Sequence, residues 1–301
     1  MKSRTAIPPI GEMLQVGDET VHVVIDGTGP AVLIDSGLGG SCLEWAKVAA
    51  DLAADFTVVR YDRPGFAWSP PGRPHSPVVA AERIVALLRV LGLSAPWILV
   101  GHSMGGLTVR LVASLHPQQV AGLVLVDPSH EAMLEDEAAL RSSKRFSAGV
   151  RMMVATTRFG TAGLLGRAYA KVVGSQVRQP LDDETRGLMR TAARLTLYNA
   201  RGLRAVAAEL AGLPSALEEV ASVTAAHPLP DIPLTVITAA APARTKAEEK
   251  ARTTVNELHA RQAAVLPKGR QVYATNSGHL VPLDEPNLIA QCVRETAKAG
   301  R

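Results

Sequence analysis

The sequence predicts an α/β protein with a mostly parallel, eight-stranded sheet, helices on both faces and a block of helices inserted late in the chain. Three observations predict it. Short apolar runs without polar alternation recur, the pattern of strands buried on both faces. Segments with helical spacing separate them, and that alternation builds parallel sheets through right-handed crossovers. From 128 to about 228 the alternation stops and only helical patterns remain.

The elements follow in order. EMLQV (12–16) and TVHVVI (20–25), joined by a Gly-Asp turn, read as an antiparallel ribbon. AVLID (31–35) is a short buried strand, and LEWAKVAADLA (43–53) has helical spacing. FTVVRYD (56–62) is the next strand. The helix over 77–92 has Pro77 in its first turn and Gly92 past its end. WILVG (97–101), a helix over 104–117 and VAGLVLVD (120–127) continue the pattern. After the helical block it resumes with PLTVITA (233–239), a helix over 246–264, RQVYATN (270–276) and a last helix over 285–299. The expected division is a core of residues 1–127 and 229–301 with a helical cap over 128–228.

Composition excludes several function classes. The net charge is +4, and the nearest thing to a basic patch, Arg141, Lys144, Arg145 and Arg151, accompanies no nucleic-acid motif and reads as a solvated helix face. No stretch of about 18 apolar residues lacks a charge or a breaker, so no membrane span is expected. Cys42 and Cys292 are too few for a disulfide framework, no Cys/His spacing suggests a zinc site, and the GLGG run lacks the third glycine of a dinucleotide loop, Cys42 standing there, so neither a metal nor an organic cofactor is expected. The N-terminus MKSRTAIPPIGEM has a basic start without an apolar region, and the expected location is cytoplasmic.

Gly101-His102-Ser103-Met104-Gly105 is a G-x-S-x-G sequence between a predicted strand and a predicted helix. That context makes Ser103 the candidate nucleophile, set on a turn so tight that its neighbours must lack bulk. A chance match in a glycine-rich chain would carry no such context. Of the eight histidines, His22, His75, His116, His227 and His259 have ordinary structural readings, and His102 reads as part of the turn. His279 lies directly after the last predicted strand, in a loop that reaches the same sheet edge as Ser103. It is the candidate general base, with Gly278 expected to let the backbone turn.

DSGLGGSCLEW (35–45), YDRPGFAWS (61–69), GHSMGG (101–106), LVLVDPSH (123–130) and SGHLVPLDEP (277–286) together resemble the α/β-hydrolase superfamily, in its capped serine-esterase branch. The resemblance covers nearly the whole chain. It implies an oxyanion hole formed by the backbone N–H groups of Leu38 and Met104. Ser36-Gly37 stands where the family often has His-Gly, a change that leaves a backbone donor intact. The family's usual acid follows the seventh strand, where this chain reads AAAPARTKAEE, with no carboxylate before Glu248. A second family position, the end of the sixth strand, holds Asp127, which becomes the candidate acid with Glu248 as the alternative. Asp62 and Arg63 match the family's structural Asp-Arg loop and are assigned no chemistry.

The resemblance therefore implies a serine hydrolase that works through an acyl-enzyme. Dehalogenases and epoxide hydrolases of this fold need an aspartate nucleophile. The default expectation is a carboxylic ester hydrolase acting on a small to medium hydrophobic acyl substrate. Met133, Phe146, Met152, Met153, Phe159, Met189 and Tyr198 are candidates for a deformable apolar pocket or for simple cap core. C–C bond hydrolysis and cofactor-free perhydrolysis use the same residues, and a non-catalytic ligand-binding member of the fold is the alternative of a different class.

Overall fold

The computed structural model describes residues 7–73, 76–135, 147–152 and 154–300. His75, Arg141, Lys144, Arg145, Phe146 and Met153 lie outside the described residues. Eight strands form one sheet in the order β1-β2-β4-β3-β5-β6-β7-β8. They are β1 (Glu12–Val16), β2 (Glu19–Asp26), β3 (Ala31–Asp35), β4 (Thr57–Asp62), β5 (Trp97–His102), β6 (Val120–Val126), β7 (Leu234–Ala239) and β8 (Gly269–Ala274). β1 pairs antiparallel with β2 and β2 with β4, and every other pairing is parallel.

Alternate side chains of the parallel strands feed two separate apolar layers. Leu33, Val59, Leu99, Leu123 and Val236 point to one face. There α2 (Pro77–Val90) and α3 (Met104–Leu115) cover them. Val32, Ile34, Val58, Val100, Val124 and Ile237 point to the other. There α1 (Ala46–Leu52) and the C-terminal helix (Pro286–Ala299) supply Val48, Leu52, Ile289 and Val293. Burial on both faces explains why these strands read as continuous apolar runs.

Between β6 and β7 the chain forms helices Ala162–Gly174, Asp183–Thr196 and Ala200–Ala226. Local caps start two of them. Asp182 accepts from Thr185 N at 2.8 Å and Asn199 accepts from Gly202 N at 2.8 Å. The 27-residue helix 200–226 has two environments along its length. Val206 and Leu210 pack with Phe66, Val150 and Leu197 above the sheet edge. Leu217 and Val220, beyond Pro214, pack into the sheet's own core.

The sequence order of the parallel strands reverses around β3, which has β4 on one side and β5 on the other. In open α/β sheets the crevice at the strand C-termini beside such a reversal is where ligands bind.

Candidate active site

Ser103 sits between β5 and α3 with φ 52° and ψ −117°, a conformation that a residue with a side chain adopts only when its surroundings hold it there. They do. Ser103 N donates to Val126 O at 3.0 Å, and Ser103 O accepts from Gly106 N at 3.1 Å and from Ser129 N at 2.9 Å. A Cβ on Gly101 would lie 2.5 Å from Gly105 O, and one on Gly105 would lie 2.4 Å from Asp35 O. Strand and helix approach too closely there for any other residue.

The loop after β8 brings His279 to this point from 176 positions away. Ser103 Oγ lies 3.0 Å from His279 Nε2, and His279 Nδ1 donates to Asp127 Oδ2 at 2.7 Å. Asp127 follows β6, also at positive φ (39°), and its N–H donates to Ile237 O at 2.7 Å. Its second oxygen accepts from Ala239 N at 3.0 Å, with Arg252 Nη1 at 3.4 Å. Burial would raise the Asp127 pKa, but the hydrogen bond from His279, the charge of His279, and His259 and Arg252 outweigh it and hold the carboxyl well below the ordinary range. Glu248 is engaged elsewhere, by Arg178 and by Arg244 N at 2.8 Å.

Two neighbouring histidines are held in fixed roles. His102 Nε2 donates to His279 O at 2.8 Å, so the residue before the serine supports the loop that carries His279. Burial, then the nearby His279, pushes its pKa down to about 3. His259, with no partner evident from sequence, is buried against Thr238 Oγ1 (3.0 Å) and Pro128 O (2.9 Å), and reaches within 4.0 Å of Asp127 Oδ1. The backbone does bend at Gly278, without a left-handed φ, and a Cβ there would lie 2.7 Å from Gln176 O, so close packing of the segment leading to helix 183–196 is a second constraint on this position.

Leu38 lines the cavity that Ser103 opens onto, and Met104 follows the serine in the chain. Met104 opens α3, so its N–H has no intrahelical acceptor. Among the described residues Leu38 N–H donates to no group, although Gly39 N and Gly40 N on its far side both donate, to Glu209 Oε2 and Gly37 O respectively. Ser103 and His279 open onto a cavity of about 640 Å³, walled by the loop 37–39 and by the helices between β6 and β7. Its wall is mainly aliphatic, with Val172, Val173, Leu181, Leu197 and Leu283. Of the methionines and aromatics singled out above, only Met189 borders it among the described residues. Met152 and Phe159 are each 71% exposed, and Tyr198 packs with Phe66.

A family model described as alpha/beta hydrolase fold matches residues 30–203. The chain belongs to the alpha/beta hydrolase family. A fluoroacetate dehalogenase from a Burkholderia species is 36% identical over 121 residues, which are 38% of this chain and 40% of that protein. The matched segments span less than half the length of the curated relatives. An enol-lactonase from Burkholderia xenovorans LB400 superposes with a TM-score of 0.66 at 17% identity, covering 95% of this chain and 100% of that one. A thermophilic esterase from Thermogutta terrifontis superposes with a TM-score of 0.65 at 19% identity, covering 96% and 99%. At these identities the likeness is one of fold. No described helix of this alpha/beta hydrolase is long and apolar enough to cross a membrane.

One feature of the hydrolase was not legible in its sequence. Arg63, 3% exposed, donates through Nε to Glu209 Oε1 (2.8 Å), and through its two Nη atoms to Ser36 O and Gly37 O (2.6 Å). Asp35 Oδ1 is 3.3 Å away and also accepts from Tyr61 Oη at 3.0 Å. Burial would lower the Arg63 pKa, but the charges of Glu209 and Asp35 more than reverse this and fix the cation. Among the described residues, His22, Cys42 and Asp62 bring three metal-ligating atom types within 4.8 Å of one another. That group is already satisfied internally. His22 faces Asp62 Oδ2 and Ile10 O, Asp62 Oδ1 accepts from Cys42 N, and burial, then Asp62, pushes the Cys42 thiol far above its ordinary pKa.

Proposed function

We propose that the protein is a serine hydrolase that cleaves carboxylic esters of small to medium hydrophobic acyl groups through an acyl-enzyme. The observation that carries this reading is the continuous chain Ser103 Oγ, His279, Asp127 at the floor of an aliphatic cavity. In this reading His279 takes the serine proton as Oγ attacks the acyl carbonyl. Asp127 fixes the tautomer that leaves Nε2 free to accept and stabilises the imidazolium that results. Leu38 N–H and Met104 N–H hold the oxyanion, His279 protonates the leaving alcohol, and water releases the acid. The helices between β6 and β7 act as a cap that shapes the substrate.

Halide displacement, the reaction in the name of the dehalogenase relative, fits these residues poorly. A serine that displaced halide from an sp³ carbon would become a stable ether. An acyl-serine, by contrast, is an ester that water can attack.

The test is labelling with a fluorophosphonate, followed by peptide mapping and a p-nitrophenyl ester chain-length panel, with Ser103→Ala as control. An adduct on Ser103 with turnover that vanishes in the control is expected. A folded protein with an unreactive Ser103 would replace this reading with that of a ligand-binding member of the family.

A further inference from the structure

We propose that Arg63 and the helix-borne Glu209 are positioning residues for the oxyanion hole, together aiming the Leu38 N–H at the reacting oxygen. This rests on the acyl-transfer reading above.

In a trans peptide the carbonyl and the N–H point in opposite directions. The carbonyl of Gly37 and the N–H of Leu38 belong to one peptide unit. Arg63 Nη2 holds that carbonyl at 2.6 Å, so the Leu38 N–H is directed away from the guanidinium. Ser103 lies close by, since a Cβ on Gly37 would sit 3.2 Å from Ser103 Cβ. The next peptide is pinned as well, because Gly39 N donates to Glu209 Oε2 at 3.0 Å. Glu209 in turn holds Arg63 through both carboxylate oxygens, at 2.8 and 3.1 Å. The peptides on both sides of Leu38 are thus tied to one buried ion pair.

The loop needs such ties. Leu38 stands between Gly37 and Gly39, Gly39 is at φ 71°, and Gly40 follows. A glycine-rich segment holds a donor poorly on its own, because glycine populates many conformations at similar energy. An oxyanion donor acts through being fixed before the charge develops. Glu209 sits on helix 200–226, 146 positions from Arg63, so the helical segment that walls the pocket also sets the geometry of the reacting centre.

The test compares Arg63→Gln and Glu209→Gln with Arg83→Gln. Arg83 forms an equally buried pair with Glu19 (2.7 Å) that makes no hydrogen bond to the loop 36–39, so it matches the cost of losing a buried ion pair. Three quantities are measured: the rate of Ser103 phosphonylation, the affinity for a trifluoromethyl ketone that adds to the serine, and the affinity for the matching methyl ketone that does not. Arg63→Gln and Glu209→Gln are expected to slow phosphonylation and weaken the trifluoromethyl ketone by about 10- to 100-fold, as a misplaced donor should. The methyl ketone and Arg83→Gln should stay within about threefold of wild type on the same scale. If the Gln variants do not fold, Glu209→Asp keeps the charge and withdraws the carboxylate by one methylene. Wild-type labelling rates in the variants, or equal losses for both ketones, would overturn the proposal. A wild-type protein that does not label at all would instead remove the acyl-transfer reading and this proposal with it.

Discussion

Two aspartate–histidine pairs in this chain share nearly one geometry. His279 Nδ1 lies 2.7 Å from Asp127 Oδ2, and His22 Nδ1 lies 2.8 Å from Asp62 Oδ2. What separates them is the other ring nitrogen. His22 Nε2 faces the carbonyl of Ile10, an acceptor only, in a site with no exposure. Both of its ring nitrogens face acceptors, so neither is set against a hydroxyl that could give up a proton. His279 Nε2 faces the Ser103 hydroxyl, which can donate, and the side chain is 39% exposed at the cavity floor. A carboxylate beside an imidazole is therefore not itself a catalytic device. In the acyl-transfer reading proposed above, it becomes one where the far nitrogen meets a hydroxyl and a space for substrate.

Substituting the two rings separates the pairs most sharply. His279→Gln is expected to lower kcat for a p-nitrophenyl ester by about 10⁴- to 10⁶-fold, the scale for losing the base of a serine nucleophile. Its loss of stability should be the smaller of the two, since the His279 ring is 39% exposed whereas the His22 ring is fully buried. His22→Gln should do the reverse, costing about 1–3 kcal/mol in denaturant unfolding by leaving the buried Asp62 short of a hydrogen bond, with kcat per folded molecule unchanged. A large kcat loss in folded His22→Gln would erase the distinction.

The carboxylates come next. Asp127→Asn should lower kcat by about 10³- to 10⁴-fold, because an amide cannot hold the required tautomer. Glu248→Gln should change it less than about threefold, as expected for a surface ion-pair partner. A steady-state comparison of the two decides the acid, and near-wild-type activity in Asp127→Asn would move that role elsewhere.

The contrast between the pairs also marks what could be read in advance. Apolar runs such as ILV and LVLV gave the parallel strands, because a strand covered on both faces must be apolar throughout. The glycines around Ser103 placed it at a strand–helix junction because sterics leave few alternatives there. His279 followed from its place after the last strand. His259 did not, since its partners are a threonine on β7 and the Pro128 carbonyl, which no local pattern announces. Arg63 was equally hidden. Two of its acceptors are backbone carbonyls and a third lies on a helix 146 positions away, so its role exists only once the chain has folded. The exposure of Met152 and Phe159 was hidden for a similar reason. Helical periodicity identifies an apolar face without saying which neighbour it meets, and Met152 and Phe159 turned outward.

Arg252 tests how far the environment of Asp127 matters beyond its ring. It donates to Ala239 O at 2.8 Å and only grazes the carboxylate at 3.4 Å. Arg252→Gln should therefore lower kcat by less than about tenfold and leave KM unchanged, since the stronger hydrogen bonds from His279 and Ala239 remain. A loss as large as that of Asp127→Asn would make the cation, not the imidazole, the main partner of the acid.

The last contrast belongs to a third carboxyl, Glu44, which also borders the cavity. Burial pushes its pKa up to about 7, against the opposing pull of the Ser41 N–H and of Arg63. The acid is thus neutral in the pocket at pH 6 and ionised at pH 8. For an anionic ester such as a hemisuccinate, KM should rise by about three- to tenfold between those values, as a like charge appears in the pocket. KM for a neutral ester of the same size should stay flat, and Glu44→Gln should abolish the rise. The same shift acts on stability. The folded pKa of about 7 stands above the ordinary 4.5, so the folded state binds the proton more tightly than the unfolded chain. Its stabilising contribution is complete below the unfolded value and is lost as the pH climbs through 7. Glu44→Gln should therefore gain roughly 2–5 °C in melting temperature over wild type at pH 8 and little at pH 4. A gain that does not change with pH would mean that Glu44 is already ionised in the pocket at pH 6, and that an aliphatic cavity wall alone does not hold a carboxyl neutral.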